Sequence, residues 1–244
     1  MPDLQTILNQ SRRLVFFGGA GVSTESGIPD FRSADGLYSQ AFDYPPETIL
    51  SHSFFLRRPE VFFRFYRERM LCLSAKPNAA HKKLAELEAA GRLSAVVTQN
   101  IDGLHQAAGS RRVLELHGSI HRNHCMKCGR FYTAEDLLTL PDIVPHCSCG
   151  GIIKPDVVLY EENLDDATVE GAIHEIAAAD TLIVAGTSLT VYPAAGMVRY
   201  FGGEHLILIN RSVTPMDAAA DLVLREDVGR ALEKIHLSDT PPNN

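Results

Sequence analysis

Short apolar runs alternate with amphipathic stretches along most of the chain. Residues 14–17 are apolar throughout, which is typical of a parallel strand covered on both faces. Further strands are predicted at residues 94–98, 113–116, 181–185, 205–210 and 221–224, and helices at residues 4–11, 59–70, 78–90, 166–179 and from 227 onward. This alternation predicts an α/β fold with a Rossmann-like, doubly wound parallel sheet.

Two of the predicted strands end in glycine turns. The first runs into a segment that contains Gly19, Ala20, Gly21 and Thr24, and the strand at 181–185 runs into Gly186, Thr187 and Ser188. Glycines let a backbone approach a phosphate closely, and a helix beginning after the first turn would aim N–H groups at it. Two such turns suit a dinucleotide, although the first is not G-x-G-x-x-G and a purely structural turn is the alternative.

Polar side chains follow two neighbouring strands. Gln99, Asn100 and Asp102 come directly after residues 94–98, where one polar turn residue would suffice, and His117 follows residues 113–116. Strand ends face the ligand crevice of an open α/β sheet, so we expect a site here. The alternative for His117 is a core histidine satisfied by a backbone carbonyl.

An aromatic residue and an arginine follow the first glycine turn on a segment stiffened by Pro29. Phe31 suits a planar ring and Arg32 suits a phosphate or carboxylate, the alternative being a loop whose phenylalanine fills the core. The aromatic stripe at residues 59–70 is predicted to be core and not a cofactor site.

Four of the five cysteines form two close pairs, Cys125 with Cys128 and Cys147 with Cys149. Two thiolate pairs match a tetrahedral structural zinc site with no open position for catalysis, and a redox dithiol is the less favoured alternative. The second pair has one intervening residue where two are commoner. Cys149 is therefore the least secure ligand, with His146 as a substitute.

The amino-acid composition of the chain excludes some classes of binding partner. The chain has 244 residues, 45% of them hydrophobic, and a net charge of −7, which gives no basic surface for nucleic acid or an anionic membrane. We find no apolar run of about 18 residues and no signal-peptide layout at the N-terminus. We expect a cytoplasmic monomer without direct nucleic-acid or membrane partners. It would end in a tail at residues 237–244 that is disordered from Asp239 onward.

In their order along the chain, these motifs closely resemble the sirtuin family of NAD-dependent protein deacylases, from about residue 4 to residue 236. The segments are 19–23, 27–32, 98–102, 117–118, both cysteine pairs and 186–188. Three departures stand out, namely Gly18 where many members have threonine, the short second cysteine pair, and Tyr160-Glu161 in place of Phe-Gly.

The resemblance implies a role for each matching residue. Gly19, Ala20 and Gly21, with Thr24 and Arg32 nearby, would hold the pyrophosphate, while Gly186, Thr187, Ser188, Asn210 and Val228 would hold the adenosine half. Phe31, Ile101 and Asp102 would form the nicotinamide pocket, and Gln99 and Asn100 would position its ribose. An acetyl-lysine peptide would add as a strand to the backbone of Val157, Val158 and Leu159.

The resemblance also implies the chemistry, which is NAD-dependent lysine deacetylation with His117 as general base and with nicotinamide, free lysine and O-acetyl-ADP-ribose as products. Relatives that prefer acidic acyl groups resemble one another in a Tyr-x-x-Arg pair. Our alignment places Phe63 and Tyr66 there, with Arg64 or Arg67 in another register, so neutral acyl groups are expected.

The expected domain organisation has two parts. A Rossmann-like domain would comprise residues 1–30, 76–120 and 159–236, and a small domain would combine a helical module, 31–75, with a zinc ribbon, 121–158. The alternative functions are a mono-ADP-ribosyltransferase that uses the same NAD site, a hydride-transfer dehydrogenase, and a purely structural zinc protein. The dehydrogenase is disfavoured because no acidic residue ends a strand about 20 positions after the first turn.

Overall fold

The computed structural model describes residues 3–31, 36 and 42–237, and it contains two sheets. The strands are β1 Leu14–Gly18, β2 Leu93–Thr98, β3 Val113–Glu115, β4 Gly118–Cys125, β5 Phe131–Tyr132, β6 Ile153–Val157, β7 Thr181–Ala185, β8 His205–Ile209 and β9 Leu222–Leu224. Each strand predicted from the sequence is present, with its ends within one residue of the expected ones.

The larger sheet is parallel throughout and has the order β3-β2-β1-β7-β8-β9. This is the Rossmann order, with the chain reversing direction across the sheet between β1 and β7. Ligands bind at such a switch point, beyond the carboxyl ends of the strands. The predicted fold class is therefore confirmed.

Helices cover both faces of this sheet. The α-helices are α1 Leu4–Gln10, α2 Pro46–Ile49, α3 His52–Arg57, α4 Pro59–Phe65, α5 Ala79–Ala89, α6 Leu104–Ala108, α7 Ala134–Thr139, α8 Asp166–Ala178 and α9 Val228–Glu233. Side chains alternate along β1, so Phe16 packs with α1, α5 and α9 while Phe17 packs with α8 on the other face. Burial on both faces explains the continuous apolar runs in the sequence.

The small sheet, ordered β5-β4-β6, is antiparallel and carries the cysteines. Its central strand begins at Gly118, immediately after His117, which is earlier than the ribbon start predicted at residue 121. An aromatic cluster packs beside it, in which Phe54, Phe55, Phe62, Phe63 and Tyr66 are buried against Ile120, Val157 and Leu159. The aromatic stripe is therefore core, as predicted.

Two expectations fall outside the described ranges, namely the position of Arg32 and disorder in residues 239–244. Within residues 3–31, 36 and 42–237, we find no helix that is both long enough and apolar enough to cross a membrane.

Candidate active site and metal centre

A cleft of about 550 Å³ opens at the carboxyl ends of the parallel strands. It is lined by residues that follow all six strands of the parallel sheet and by the chain after β6. All the predicted catalytic, cofactor and substrate residues that the structure describes line it, namely Gly19, Ala20, Gly21, Thr24, Phe31, Gln99, Asn100, Ile101, Asp102, His117, Val157, Val158, Leu159, Gly186, Thr187, Ser188, Asn210 and Val228. Residues far apart in sequence thus share one cavity.

The two glycine turns pack directly on each other at the switch point. The N–H of Gly21 donates to the carbonyl of Gly186 at 2.8 Å, and the N–H of Gly19 donates to that of Ala185 at 3.1 Å. A Cβ at Gly21 would lie 2.7 Å from the Cα of Gly186, and Gly186 itself has a φ of 59°. Close backbone approach therefore requires glycine at both positions.

The helix predicted after the first turn is absent as an α-helix. Two three-residue 3₁₀ turns, Ala20–Val22 and Thr24–Ser26, take its place. The N–H groups of Gly19 and Gly21 join the two turns. The prediction of a helix N-terminus here was wrong because contacts between β1 and β7 decide the local backbone.

A buried chain of hydrogen bonds links the polar residues after β2 to the first glycine turn. The Nδ2 of Asn100 donates to the Oγ of Ser23 at 3.0 Å, and that hydroxyl donates to Oδ2 of Asp102 at 2.6 Å. Ser23 is 1% exposed. It was not predicted as a site residue, although it belongs to the motif at residues 19–23.

A second link joins the ends of β2 and β7. The Nε2 of Gln99 donates to the Oγ1 of Thr187 at 3.1 Å, and its backbone N–H donates to Gly18 at 3.0 Å. Gln99 therefore bridges the two halves of the sheet across the switch point. Its side chain is held before any ligand arrives.

His117 lies at the centre of the cleft with one ring nitrogen engaged. Its Nδ1 is 3.0 Å from the carbonyl oxygen of Gln99, a contact that requires the Nδ1–H tautomer and leaves Nε2 as an acceptor. Burial lowers the pKa of His117 from its usual 6.5, while the bond to Gln99 acts in the opposite direction. The net result is a neutral imidazole at pH 7.

The predicted substrate residues Val157, Val158 and Leu159 line the cleft, and two of their N–H groups are already used. Val158 donates to the carbonyl of His117 at 3.0 Å, and Leu159 donates to Oε2 of Glu162 at 2.8 Å. We call residues 157–160 the substrate segment. It is thus fixed directly to the backbone of His117.

The two positions that our alignment matched to the Tyr-x-x-Arg pair do not line the cleft. Phe63 and Tyr66 are fully buried in the aromatic cluster and do not line the cleft, whereas Arg69 and Met70 do. Arg67 points to the ribbon, where it donates to the carbonyls of Leu137 and Asp142. A five-residue π-helical turn, Tyr66–Met70, extends α4 and brings Arg69 and Met70 to the cleft.

Other residues of the cleft were not predicted from the sequence. Tyr192 and Pro193 line it after β7, and Arg211, Glu226 and Asp227 line it beside Asn210 and Val228. Arg211 is paired with Asp227. These residues lie one to five positions from residues that the sequence did predict, and no hydrophobic pattern in the sequence indicates that they face the cleft.

The four cysteines lie together at one end of the ribbon, with all their sulfur atoms within 4.8 Å of one another. The sulfurs of Cys125 and Cys149 are 3.5 Å apart, and those of Cys128 and Cys147 are 3.7 Å apart. Four ligands at the Zn–S distance of about 2.3 Å around a tetrahedral ion are separated by about 3.8 Å. The geometry therefore fits a structural zinc ion.

Cys149 belongs to this cluster, despite the short second pair, and His146 does not. A tight turn closes the pair, because Gly150 donates to the carbonyl of Cys147 and Cys147 donates to that of Gly151, both at 2.8 Å. A Cβ at Gly151 would lie 2.7 Å from the sulfur of Cys125. The glycine pair lets two thiols separated by one residue face the same point.

The Sir2 family model matches residues 19–193, which is most of the chain. The chain belongs to the Sir2 family. Two bacterial relatives are named NAD-dependent protein deacetylase. That of Clostridium acetobutylicum is 58% identical over 236 residues and covers 96% of each chain, and that of Clostridium perfringens is 56% identical over 95% of this chain and 96% of its own.

Solved structures of Sir2 proteins agree with this membership. One described as Sir2 with a p53 peptide and NAD+ is 43% identical, with a TM-score of 0.84 over 93% of each chain. Another, a Sir2 variant with a deacetylated p53 peptide and 3'-O-acetyl ADP-ribose, is 42% identical, with a TM-score of 0.86 over 93% of each chain. The sirtuin resemblance seen in the sequence is confirmed.

Proposed function

We propose that this Sir2 family member is an NAD-dependent protein-lysine deacetylase in which His117 is the general base. The observation that carries the proposal is the position of His117, whose Nδ1 is fixed by Gln99 and which shares one cleft with both glycine turns and the substrate segment. Its relatives carry the name of this activity, and related structures hold NAD+ or an acetylated peptide.

The co-substrate NAD supplies the electrophilic ribose carbon and takes up the acetyl group. Gly19, Ala20, Gly21 and Thr24, which follow β1 and line the cleft, would hold its pyrophosphate. The family resemblance adds Arg32 to this group. The turn at Gly186, Thr187 and Ser188, together with Asn210 and Val228, would hold the adenosine half. Packing of the two turns on each other supports this assignment, because it brings the residues proposed for the two halves of the dinucleotide into one cleft.

The chain of hydrogen bonds from Asn100 through Ser23 to Asp102 would hold the nicotinamide end with Phe31 and Ile101. We assign Ser23 a positioning role, since it contacts both polar side chains. His117 would accept a proton from a ribose hydroxyl at Nε2. Histidine is suited to this because it is neutral at pH 7 yet still basic, and burial favours the neutral form.

The acetyl-lysine peptide would lie along the substrate segment. An added strand would use backbone groups of Val157, Val158 and Leu159 other than the two N–H groups already bonded. Leu50, Met70, Ile101 and Leu159 give this side of the cleft an apolar lining. A neutral acyl group suits that lining. Arg69 also lines the cleft, but it is exposed to solvent and therefore offers no buried cation to an acidic acyl group.

We also propose that the cleft separates a Rossmann-like domain, residues 1–30, 76–120 and 159–236, from a small domain formed by residues 31–75 and 121–158. The zinc site in the small domain has no catalytic role, because four thiolates leave no open position. The cytoplasmic location, the monomeric state and the lack of a nucleic-acid partner stay predictions from the sequence.

The deciding experiment measures nicotinamide release from NAD with and without an acetylated peptide. We expect release that depends on the peptide, loss of the acetyl group from the peptide by mass spectrometry, and a fall of at least about 10²-fold in His117→Ala. His174→Ala, which changes an exposed histidine on α8, is the matched control. Release without peptide, or a protein that gains ADP-ribose instead of losing acetyl, would contradict the proposal.

A further inference from the structure

The substrate segment is fixed to the rest of the protein by backbone bonds on two sides. On one side, Val158 donates to the carbonyl of His117 at 3.0 Å. On the other, Tyr160 donates to Leu50 and accepts from His52, each at 2.9 Å, at the start of α3. The segment therefore links the histidine directly to the helical module.

Glu162 closes the segment from a third direction. Its Oε2 accepts from the N–H of Leu159 at 2.8 Å and from Nζ of Lys154 at 3.1 Å, and its Oε1 is 2.7 Å from Nδ1 of His52. Lys154 reaches the same backbone, donating to the carbonyl of Val157 at 3.0 Å. One carboxylate and one ammonium thus fix two backbone groups of the segment.

This pair is shielded from water. The side chains of Glu162 and Lys154 are 20% and 18% exposed. Burial alone would raise the pKa of Glu162, but the bonds from Leu159, His52 and Lys154 outweigh it and lower that pKa. The carboxylate is therefore charged at neutral pH, and its hydrogen bonds are of the stronger, charge-assisted kind.

We propose that Glu162 and Lys154 act together as positioning residues for the peptide substrate, holding the edge of the substrate segment at a fixed distance from His117. This inference rests on the proposed function and adds two residues to it. A peptide that pairs with the segment needs the backbone of Val157 to Leu159 in one conformation before it binds. Fixing that conformation in advance lowers the entropy cost of peptide binding.

The proposed positioning role predicts a specific effect on the steady-state kinetics. Both residues hydrogen-bond to the segment that would bind the peptide. Their other side-chain bonds in the described structure go to each other, to His52 and to Pro155, and not to the glycine turns that would bind NAD. Its loss should therefore raise the KM for the peptide while leaving the KM for NAD unchanged. A purely structural role would instead lower kcat and thermal stability without distinguishing between the two substrates.

The test compares Glu162→Gln, Lys154→Met and the double variant with wild type in steady-state deacetylation of an acetylated peptide. We expect about a tenfold higher peptide KM in each single variant, from the loss of a charge-assisted bond, with kcat and the KM for NAD within about twofold. The double variant should be no worse than either single one, because the two residues act as a unit.

Glu170→Gln, an exposed glutamate on α8, is the control and should match wild type. Lys154→Arg keeps a cation opposite Glu162, so its peptide KM should lie within about threefold of the wild-type value. If Glu162→Gln fails to fold, the comparison of Lys154→Arg with Lys154→Met tests the inference instead. An unchanged peptide KM in a folded variant, or equal losses in kcat and the KM for NAD, would overturn the inference. Absence of deacetylation by wild type would instead refute the proposed function.

Discussion

His117 shows why a structural contact and a catalytic role can coincide in one side chain. The bond from Nδ1 to the Gln99 carbonyl is what a core histidine would make, and it is present. The same bond fixes the tautomer and directs Nε2 as an acceptor, while the residue lines the cleft. Satisfying one nitrogen is therefore what prepares the other for proton transfer.

The pH dependence of activity should report this arrangement. Because a protonated imidazole cannot accept a proton, kcat/KM for the peptide should fall as the pH is lowered through the pKa of His117. Burial lowers that pKa, so the midpoint should lie below 6.5 and activity should be constant above it. Steady-state rates from about pH 5 to about pH 9 measure it.

His174→Ala should give the same midpoint, since that histidine is exposed on α8. A midpoint above 6.5 would mean that burial does not control the ionisation of His117.

Glu161 belongs to one of the departures from the family resemblance, and the structure gives a physical reason that a side chain is tolerated there. It is the third residue of a turn closed by the bond from Glu162 N–H to the carbonyl of Leu159, and its φ is 76°. A side chain at positive φ costs about 1–2 kcal/mol. The carboxylate offsets this by accepting from the N–H and the hydroxyl of Ser53 at the start of α3.

At the scale of elements, the glycine turns after β1 and β7 and the ribbon around β4 depend on different interactions. The turns are fixed by backbone contacts at the centre of a large sheet. The ribbon has a small core, in which Leu137 and Ile153 pack with Cys125 and Cys147. A module of that size cannot bury enough apolar surface to fold alone, so its stability depends on the metal.

Removal of zinc should therefore affect one part of the molecule first. Because β6 belongs to the ribbon sheet and continues into the substrate segment, loss of the metal should abolish deacetylation while the parallel sheet stays folded. Treatment with a chelator, followed by activity and circular dichroism, measures this, and added zinc should restore activity. Cys149→Ser should lose zinc.

Cys72→Ser, at the one cysteine outside the cluster, should keep one zinc per chain. If Cys149→Ser kept one zinc per chain, the fourth zinc ligand would be a residue other than Cys149.

At the scale of the whole molecule, the sequence predicted the structural elements that leave a regular hydrophobic pattern. It did not predict local structure that depends on contacts between residues far apart in the chain. Apolar runs located every strand of the parallel sheet, because burial on both faces leaves a continuous pattern, but they did not locate the strands of the small sheet. The contact of Glu161 with Ser53, 108 positions apart, leaves no pattern. The same holds for Gly21 and Gly186, whose mutual hydrogen bond replaced the expected helix N-terminus.

The buried histidines His81 and His105 should make the stability of the whole fold sensitive to acid. They are 0% and 1% exposed, their rings are 4.7 Å apart between α5 and α6, and neither nitrogen of His105 has a partner among the described residues. Burial lowers the pKa of both, and for His81 the nearby Asp102 acts in the opposite direction. Both are therefore neutral in the folded protein.

Since their folded pKa values lie below the unfolded value of 6.5, the unfolded chain binds more protons as the pH falls. The free energy of unfolding should be constant above about pH 7 and fall below 6.5, by up to about 1.4 kcal/mol per pH unit for each histidine. Urea unfolding at several pH values measures this slope. His105→Phe, which fills the space beside Phe16, should make the slope shallower, whereas His174→Ala should not change it. An equal slope in His105→Phe and wild type would show that His105 does not contribute to the loss of stability in acid.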